Sequence, residues 1–154
     1  MEERIKKAVE LFKAGYNCSQ AVLTAFADIY EIPEEVALRI AAPFGGGIGR
    51  MRETCGAACG LFLLAGLENG SVVPGDKVGK TANYGLVQEL AGEFHRRNGS
   101  LCCRELLGLQ ELTSFSPVPD ERTDPYYATR PCEKIVEEAA KIWVESLEKH
   151  KKRS

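Results

Sequence analysis

The residues best suited to chemistry are six cysteines, Cys18, Cys55, Cys59, Cys102, Cys103 and Cys132. The thiolate is the reactive form of cysteine, as nucleophile and as metal ligand, so the question is what lowers each thiol's pKa. Four of the six share one local setting. Cys18 follows Asn17, Cys55 follows Thr54, Cys103 follows a turn at Ser100, and Cys132 follows Pro131. Each is predicted to fall in the first turn of a helix, where unpaired backbone N–H groups and the positive end of the helix dipole favour an anion. A cysteine that serves only packing is an inert small hydrophobe at mid-helix. The placement therefore nominates Cys18, Cys55, Cys103 and Cys132 as catalytic thiols, with Cys18 and Cys55 expected to attack.

The same four sulfurs suit a second chemistry, since four thiolates are the ligand number of a zinc site or an iron–sulfur cluster. Cys59, one turn after Cys55 on the same helical face, is a weaker candidate ligand and fits a buried small residue better. Adjacent residues on a helix do not face each other, so of Cys102 and Cys103 only one is expected at a shared site, and Cys103 has the better position. The chain contains no Cys-x-x-Cys pair, which argues against a thioredoxin-type motif or a zinc ribbon, and no Cys-x-x-Cys-His, which argues against covalent haem. His95, with Glu89 and Glu93 nearby, reads as a surface histidine among solvated charges. Phe44-Gly45-Gly46-Gly47-Ile48-Gly49-Arg50 lacks the Gly-Lys-Ser/Thr ending of a phosphate loop and follows a helix rather than a strand, so it reads as a tight turn or a close backbone approach.

The elements that must position these thiols are all helical. Ile5, Ala8, Val9, Leu11 and Phe12 recur at helical spacing over roughly residues 2 to 14, with Gly15 as a stop. Asn17 and Gln20 form a near-capping-box for a second helix carrying Ala21, Val22, Ala25, Phe26 and Ile29, expected to end before Pro33. Pro33, Glu34 and Glu35 begin a short helix that ends near Pro43. Thr54 is the expected cap of an apolar helix from Cys55 to Leu67, whose Gly56, Ala57, Ala58 and Gly60 allow a close neighbour. Val78, Ala82, Leu86, Leu90 and Phe94 mark a long helix over roughly 76 to 97, closed by Asn98-Gly99. A short helix spans about Cys102 to Leu107, and Pro131 starts a last one carrying Ile135, Val136, Ala139, Ala140, Trp143 and Leu147. Between them, residues 110 to 130, with Pro117, Pro119 and Pro125, read as a long ordered loop; it delivers Cys132 and is a candidate lid over the cysteines. The expected fold is an all-α, single-domain bundle of about six helices covering 1–154, with a long Pro-containing loop before the C-terminal helix.

Composition narrows the function classes. At 154 residues and 44% hydrophobic, the chain can bury a core of its own. Lys and Arg number 20 against 22 Asp and Glu, so the basic footprint of a nucleic-acid binder is missing, and the cluster from Lys149 to Arg153 suits a solvated helix end. The start, Met1-Glu2-Glu3-Arg4-Ile5-Lys6-Lys7, lacks the apolar stretch of a secretory signal, and the longest apolar run falls short of the roughly 20 residues that span a bilayer. No direct membrane insertion and a cytoplasmic location are expected, and in that reducing setting six cysteines imply thiol chemistry or metal binding rather than a disulfide framework.

Several of these segments together resemble a known family. Gly15-Tyr16-Asn17-Cys18-Ser19-Gln20-Ala21-Val22, the Phe44 to Gly49 run, Cys55-Gly56-Ala57-Ala58-Cys59-Gly60, Gly99-Ser100 with Cys103-Arg104-Glu105-Leu106-Leu107-Gly108, and Cys132 look like the C_GCAxxG_C_C family of redox-active cysteine proteins, from roughly Leu11 to Ala140. The resemblance puts the family cysteines on Cys18, Cys55, Cys103 and Cys132 and leaves Cys59 and Cys102 outside the pattern. It implies a redox partner or a membrane-transport-associated system. It also extends to a helical region of split-Soret cytochromes, implying a shared fold without the haem.

Three readings follow. The first is a thiol-based oxidoreductase using dithiol/disulfide or electron-transfer chemistry; the second is a cysteine-ligated iron–sulfur or zinc protein; the third is a structural or partner-binding helical module. Monomer and homodimer are both compatible with the pattern.

Overall fold

Asn17 opens the helix that carries the first cysteine, α2 (Cys18–Thr24): its side chain accepts the Gln20 N–H at 2.9 Å while the Gln20 side chain accepts the Asn17 N–H at 3.0 Å. It lies between α1 (Glu2–Lys13) and α3 (Glu34–Ala41) in the computed structural model, which describes residues 1–109 and 115–153. Then come α4 (Gly56–Asn69), α5 (Lys77–Asn98), α6 (Cys103–Leu106), α7 (Asp124–Thr129) and α8 (Cys132–Arg153). Among the described residues there is no strand, only a single antiparallel bridge between Thr54 and Cys102. The all-α expectation holds, with eight helices among the described residues in place of about six.

Four details depart from the sequence reading. The second helix stops at Thr24 and passes into a 3-10 turn over Ala27–Tyr30 instead of running to Pro33. The Ala25 carbonyl freed there is taken by the Arg4 guanidinium at 3.0 Å, which also pairs with Asp28 at 2.6 Å. Thr54 does not cap α4; Cys55 itself occupies the cap position, and no side chain supplies a capping hydrogen bond. In α5, only Leu86, Leu90 and Phe94 of the predicted stripe are buried, and Val78 is 83% exposed. A row that steps by four residues drifts round a 3.6-residue helix, by about 160° between Val78 and Phe94, so its start leaves the core. Finally, the segment read as loop up to residue 130 contains α7, opened by Thr123 accepting the Tyr126 N–H at 3.3 Å. Residues 110–114 of that predicted loop lie outside the described residues.

The core is built where α2 packs on α4, α1 on α8 and α5 on both α4 and α8. Trp143, Phe12, Phe26, Phe94, Leu23, Leu61, Leu64 and Leu90 are its largest wholly buried side chains. The contact of α2 with α4 depends on missing side chains: a Cβ on Gly60 would lie 2.8 Å from Val22 Cβ, and one on Gly56 would lie 2.9 Å from the Phe44 carbonyl and 3.4 Å from Cys18 Cβ. The first turns of both helices, and the cysteines they carry, are thereby brought side by side.

Overpacking such a contact costs about 1–3 kcal/mol, so Gly60→Ala is expected to lower the stability measured by urea unfolding by that amount. Gly66, also within α4, has open space where its Cβ would go; Gly66→Ala is expected to be neutral or to stabilise by up to about 1 kcal/mol, which separates the loss of close approach from a general effect of removing glycine.

Candidate functional site

The first residues of α2, α6 and α8 and the cap of α4 meet at one cavity of about 400 Å³, lined by Cys18, Cys55, Cys103 and Cys132. Helix starts far apart in the chain are thus assembled by packing. The backbone between Arg52 and Cys55 pairs with that between Leu101 and Arg104, through Cys55 N–H to Leu101 O at 2.7 Å and Cys103 N–H to Glu53 O at 2.6 Å, and this ties Cys103 to Cys55. The glycine-rich segment forms another wall, with Gly45, Gly46, Gly47 and Gly49 lining the cavity. Gly47 has a φ of +73° and a Cβ there would sit 2.5 Å from Cys103 Cβ, so both a close approach and a left-handed turn exclude a side chain. The segment is the tight turn and close approach that its sequence suggested. Its strain is greater than glycine alone explains: Ile48, Arg50 and Arg52 also have positive φ, of 66°, 62° and 60°. For a residue with a Cβ that conformation costs about 1–2 kcal/mol, and here it holds Arg50 and Arg52 against the cavity.

All six cysteines are free thiols, and the four in the cavity differ sharply. Burial pushes the Cys55 thiol up to about 12, against the opposing pull of the Ala57 and Ala58 backbone N–H groups at the start of α4. Cys103 is raised by burial as well, with the Arg52 guanidinium, whose Nη1 lies 3.8 Å from the sulfur, pulling the other way. Cys18 and Cys132 titrate as a linked pair: a thiolate on Cys132 is favoured by the Cys18 S–H as a hydrogen-bond donor, which raises Cys18 well above its ordinary range and brings Cys132 down to about 7. Arg130, Arg122 and Arg52 add their positive charges to the stabilisation of the Cys132 thiolate. The expectation that Cys18 and Cys55 would be the attacking thiols is therefore revised. The dipole and amide effects at their helix starts are outweighed by desolvation at Cys55 and by the interaction with Cys132 at Cys18, and Cys132 is the thiol whose pKa is lowered.

The remaining predicted candidates lie elsewhere. Cys59 is buried within α4 with its thiol directed at the Thr54 carbonyl (3.9 Å), and burial raises it to about 11. Cys102 points to the Arg52 carbonyl at 3.4 Å and does not line the cavity. His95 is exposed on α5, and Glu93 is committed to Arg96 and Arg97, whose hydrogen bonds hold its carboxyl down to about 2. Lys149, in the basic C-terminal cluster, pairs with Glu89 at 2.5 Å. For the metal reading, no group of three or more His, Cys, Asp or Glu among the described residues is placed to hold an ion. Nor is any helix among them long and apolar enough to cross a membrane.

Sequence reasoning overlooked the basic half of the site. Arg50, Arg52, Arg122 and Arg130 all line the cavity, together with Asp120 and Tyr126. Arg122 fastens the segment before α8 to the start of the chain, donating to the Phe12 and Tyr16 carbonyls at 3.0 Å each while its guanidinium lies 4.3 Å from the centre of the Phe12 ring. The available signal was the position of two arginines inside and just after a glycine-rich turn, and of two more in a loop that leads to a cysteine. The described part of the predicted lid does line the cysteine cavity, through Pro117, Pro119 and Asp120.

Fold and site define an all-helical protein in which four helix-start cysteines face a shared, arginine-lined cavity. Residues 16–146 match the family described as putative redox-active protein (C_GCAxxG_C_C), and the chain belongs to that family. No curated protein and no solved structure matches it.

A thiol reacts through its ionised form, so alkylation of Cys132 by iodoacetamide is expected to rise with pH to a plateau, with a midpoint near pH 7. Cys55 should stay unmodified throughout the neutral range because its thiolate forms only near pH 12. Cys18→Ala removes the S–H donor and should move the Cys132 midpoint upward, toward the ordinary thiol value of about 8.5. Peptide mass spectrometry over a pH series reads all three.

Proposed function

We propose that the protein is a thiol–disulfide oxidoreductase in which Cys132 attacks and Cys18 resolves. The observation that carries this reading is the convergence of Cys18 and Cys132 on one arginine-lined cavity, where their mutual interaction and the guanidinium charges bring Cys132 down to about 7 while Cys18 is raised. A pKa near the ambient pH is the best compromise for an attacking thiol, since a lower one would sacrifice nucleophilicity.

The chemistry balances as follows. The Cys132 thiolate attacks one sulfur of a substrate disulfide, a Cys132–substrate S–S bond forms, the substrate S–S bond breaks, and its other half leaves as a thiolate. Cys18 then gives up its proton to solvent, and its sulfur attacks the Cys132 sulfur. The second substrate thiolate departs, leaving a Cys18–Cys132 disulfide. Two electrons pass from the protein dithiol to the substrate, and a reducing dithiol restores the protein. Cys103 and Cys55, both raised by burial, take no part in this sequence.

A metal centre draws support from the convergence of four sulfurs on one cavity, but the absence of a three-ligand group among the described residues sets it second. Protein purified without oxygen is expected to carry iron and zinc far below stoichiometric amounts; near-stoichiometric metal that disappears in Cys18→Ser or Cys132→Ser would put the metal reading in place of this one. After reaction with oxidised glutathione, a non-reducing peptide map should show Cys18 joined to Cys132. Cys18→Ser should instead stop at glutathione bound to Cys132, and Cys132→Ser should slow the reaction at least about tenfold, since the remaining cavity thiols are largely protonated at pH 7.

A further inference from the structure

The charges around the cavity do not balance. Arg50, Arg52 and Arg130 all converge on the single carboxylate of Asp120, at 3.3, 3.6 and 3.1 Å. Arg122 spends its donors on backbone carbonyls and pairs with no carboxylate among the described residues. Among the described residues, four guanidinium groups therefore face one acidic side chain at this cavity, a formal excess of 4 − 1 = +3 that a Cys132 thiolate reduces to +2. These are not freely solvated charges: the Arg52 side chain is 9% exposed, that of Arg50 21% and that of Arg130 25%. Holding like charges together out of water is unfavourable unless an anion joins them. The strained, left-handed backbone at Arg50 and Arg52 adds to that cost. Arg52, Arg122 and Arg130 act on the Cys132 thiolate, whereas Arg50 donates to the Ser116 carbonyl at 2.5 Å and turns its other nitrogen to Asp120 at the cavity.

We infer that the cavity takes a small disulfide bearing carboxylate groups, held by Arg50, Arg52 and Arg130 in place of Asp120 while its sulfur meets Cys132. A planar guanidinium matches a carboxylate with two parallel hydrogen bonds, and several around one pocket orient as well as attract it. At about 400 Å³ the cavity has the size of a small-molecule site. Asp120 then acts as a resident stand-in: it neutralises part of the arginine charge when no substrate is bound and must give way when one enters. This assignment rests on the thiol-exchange reading, and it names that reaction's substrate class.

Three disulfide probes test it: 5,5′-dithiobis(2-nitrobenzoate), a dianion; 4,4′-dithiodipyridine, which is neutral; and cystamine, a dication. Each initial rate at pH 7 is divided by the rate of the same probe with a free small thiol, which removes intrinsic reactivity. The expected order is dianion, neutral, dication, with a preference for the dianion over the neutral probe of about tenfold or more at low salt, shrinking as sodium chloride is raised. Arg50→Gln should lower that ratio, whereas Asp120→Asn, which removes the competing carboxylate, should raise it. The opposite directions separate recognition from general damage to the fold, and the salt dependence of the unaltered protein still tests the anion preference if either variant fails to fold. Equal normalised rates for the three probes would overturn the anion assignment and leave thiol exchange standing. No reaction with any of them at neutral pH would overturn thiol exchange itself.

Discussion

The close approach of α2 to α4 is the constraint on which the rest of the molecule depends. Gly56 and Gly60 let the two helices meet where any side chain would collide with Val22, Phe44 or Cys18. That contact fixes the start of α2 beside the start of α4, and so Cys18 beside Cys55 at the cavity wall. The other walls are then added by longer-range devices. A short backbone pairing between residues 52–55 and 101–104 brings Cys103, and the packing of α8 on α1, with Arg122 pinned to the end of α1, brings Cys132. A cavity assembled from four separate helix starts needs every one of these contacts, because no two of its cysteines are near neighbours in the chain.

Within that cavity the balance of forces on each sulfur decides its chemistry. The helix-start effect is real: backbone N–H groups of Ala57 and Ala58 do stabilise a thiolate at Cys55. It is smaller than the cost of burying the charge, so Cys55 stays protonated at neutral pH. At Cys132 the same desolvation is present but is outweighed by a hydrogen bond from Cys18 and by three positive side chains. Similar local sequences therefore produce one thiolate and one inert thiol. The difference arises from what the neighbouring elements deliver.

The arginines change the character of the site. A cavity of four thiols alone would suit metal binding, redox exchange or plain packing. Four guanidinium groups against one carboxylate favour anions at every step, from the thiolate of the protein to the charge of what it meets. The turn that presents Arg50 and Arg52 holds three of the four side-chain-bearing residues with positive φ among those described, and its location against the cysteine cavity fits a strain retained for function.

By itself the sequence determined the helical class and most helix starts, and it singled out Cys18, Cys55, Cys103 and Cys132 without bringing them together, because capping residues, prolines and apolar periodicity act over a few neighbouring positions. Asn17 with Gln20 forms a cap visible from residue types alone. Where the local signal was weak or competed with packing, it misled: the row from Val78 to Phe94 drifts out of the core, α2 ends early under the hold of Arg4, and α7 escaped notice inside a proline-containing stretch. Only the tertiary structure decided that the surroundings lower the pKa of Cys132 while raising those of Cys18 and Cys55, and that Arg50, Arg52, Arg122, Arg130 and Asp120 line the same cavity. The physical reason is that desolvation and Coulomb interaction depend on distance in space. Residues as far apart in the chain as Cys18 and Cys132 set one another's charge only after the helices between them have packed.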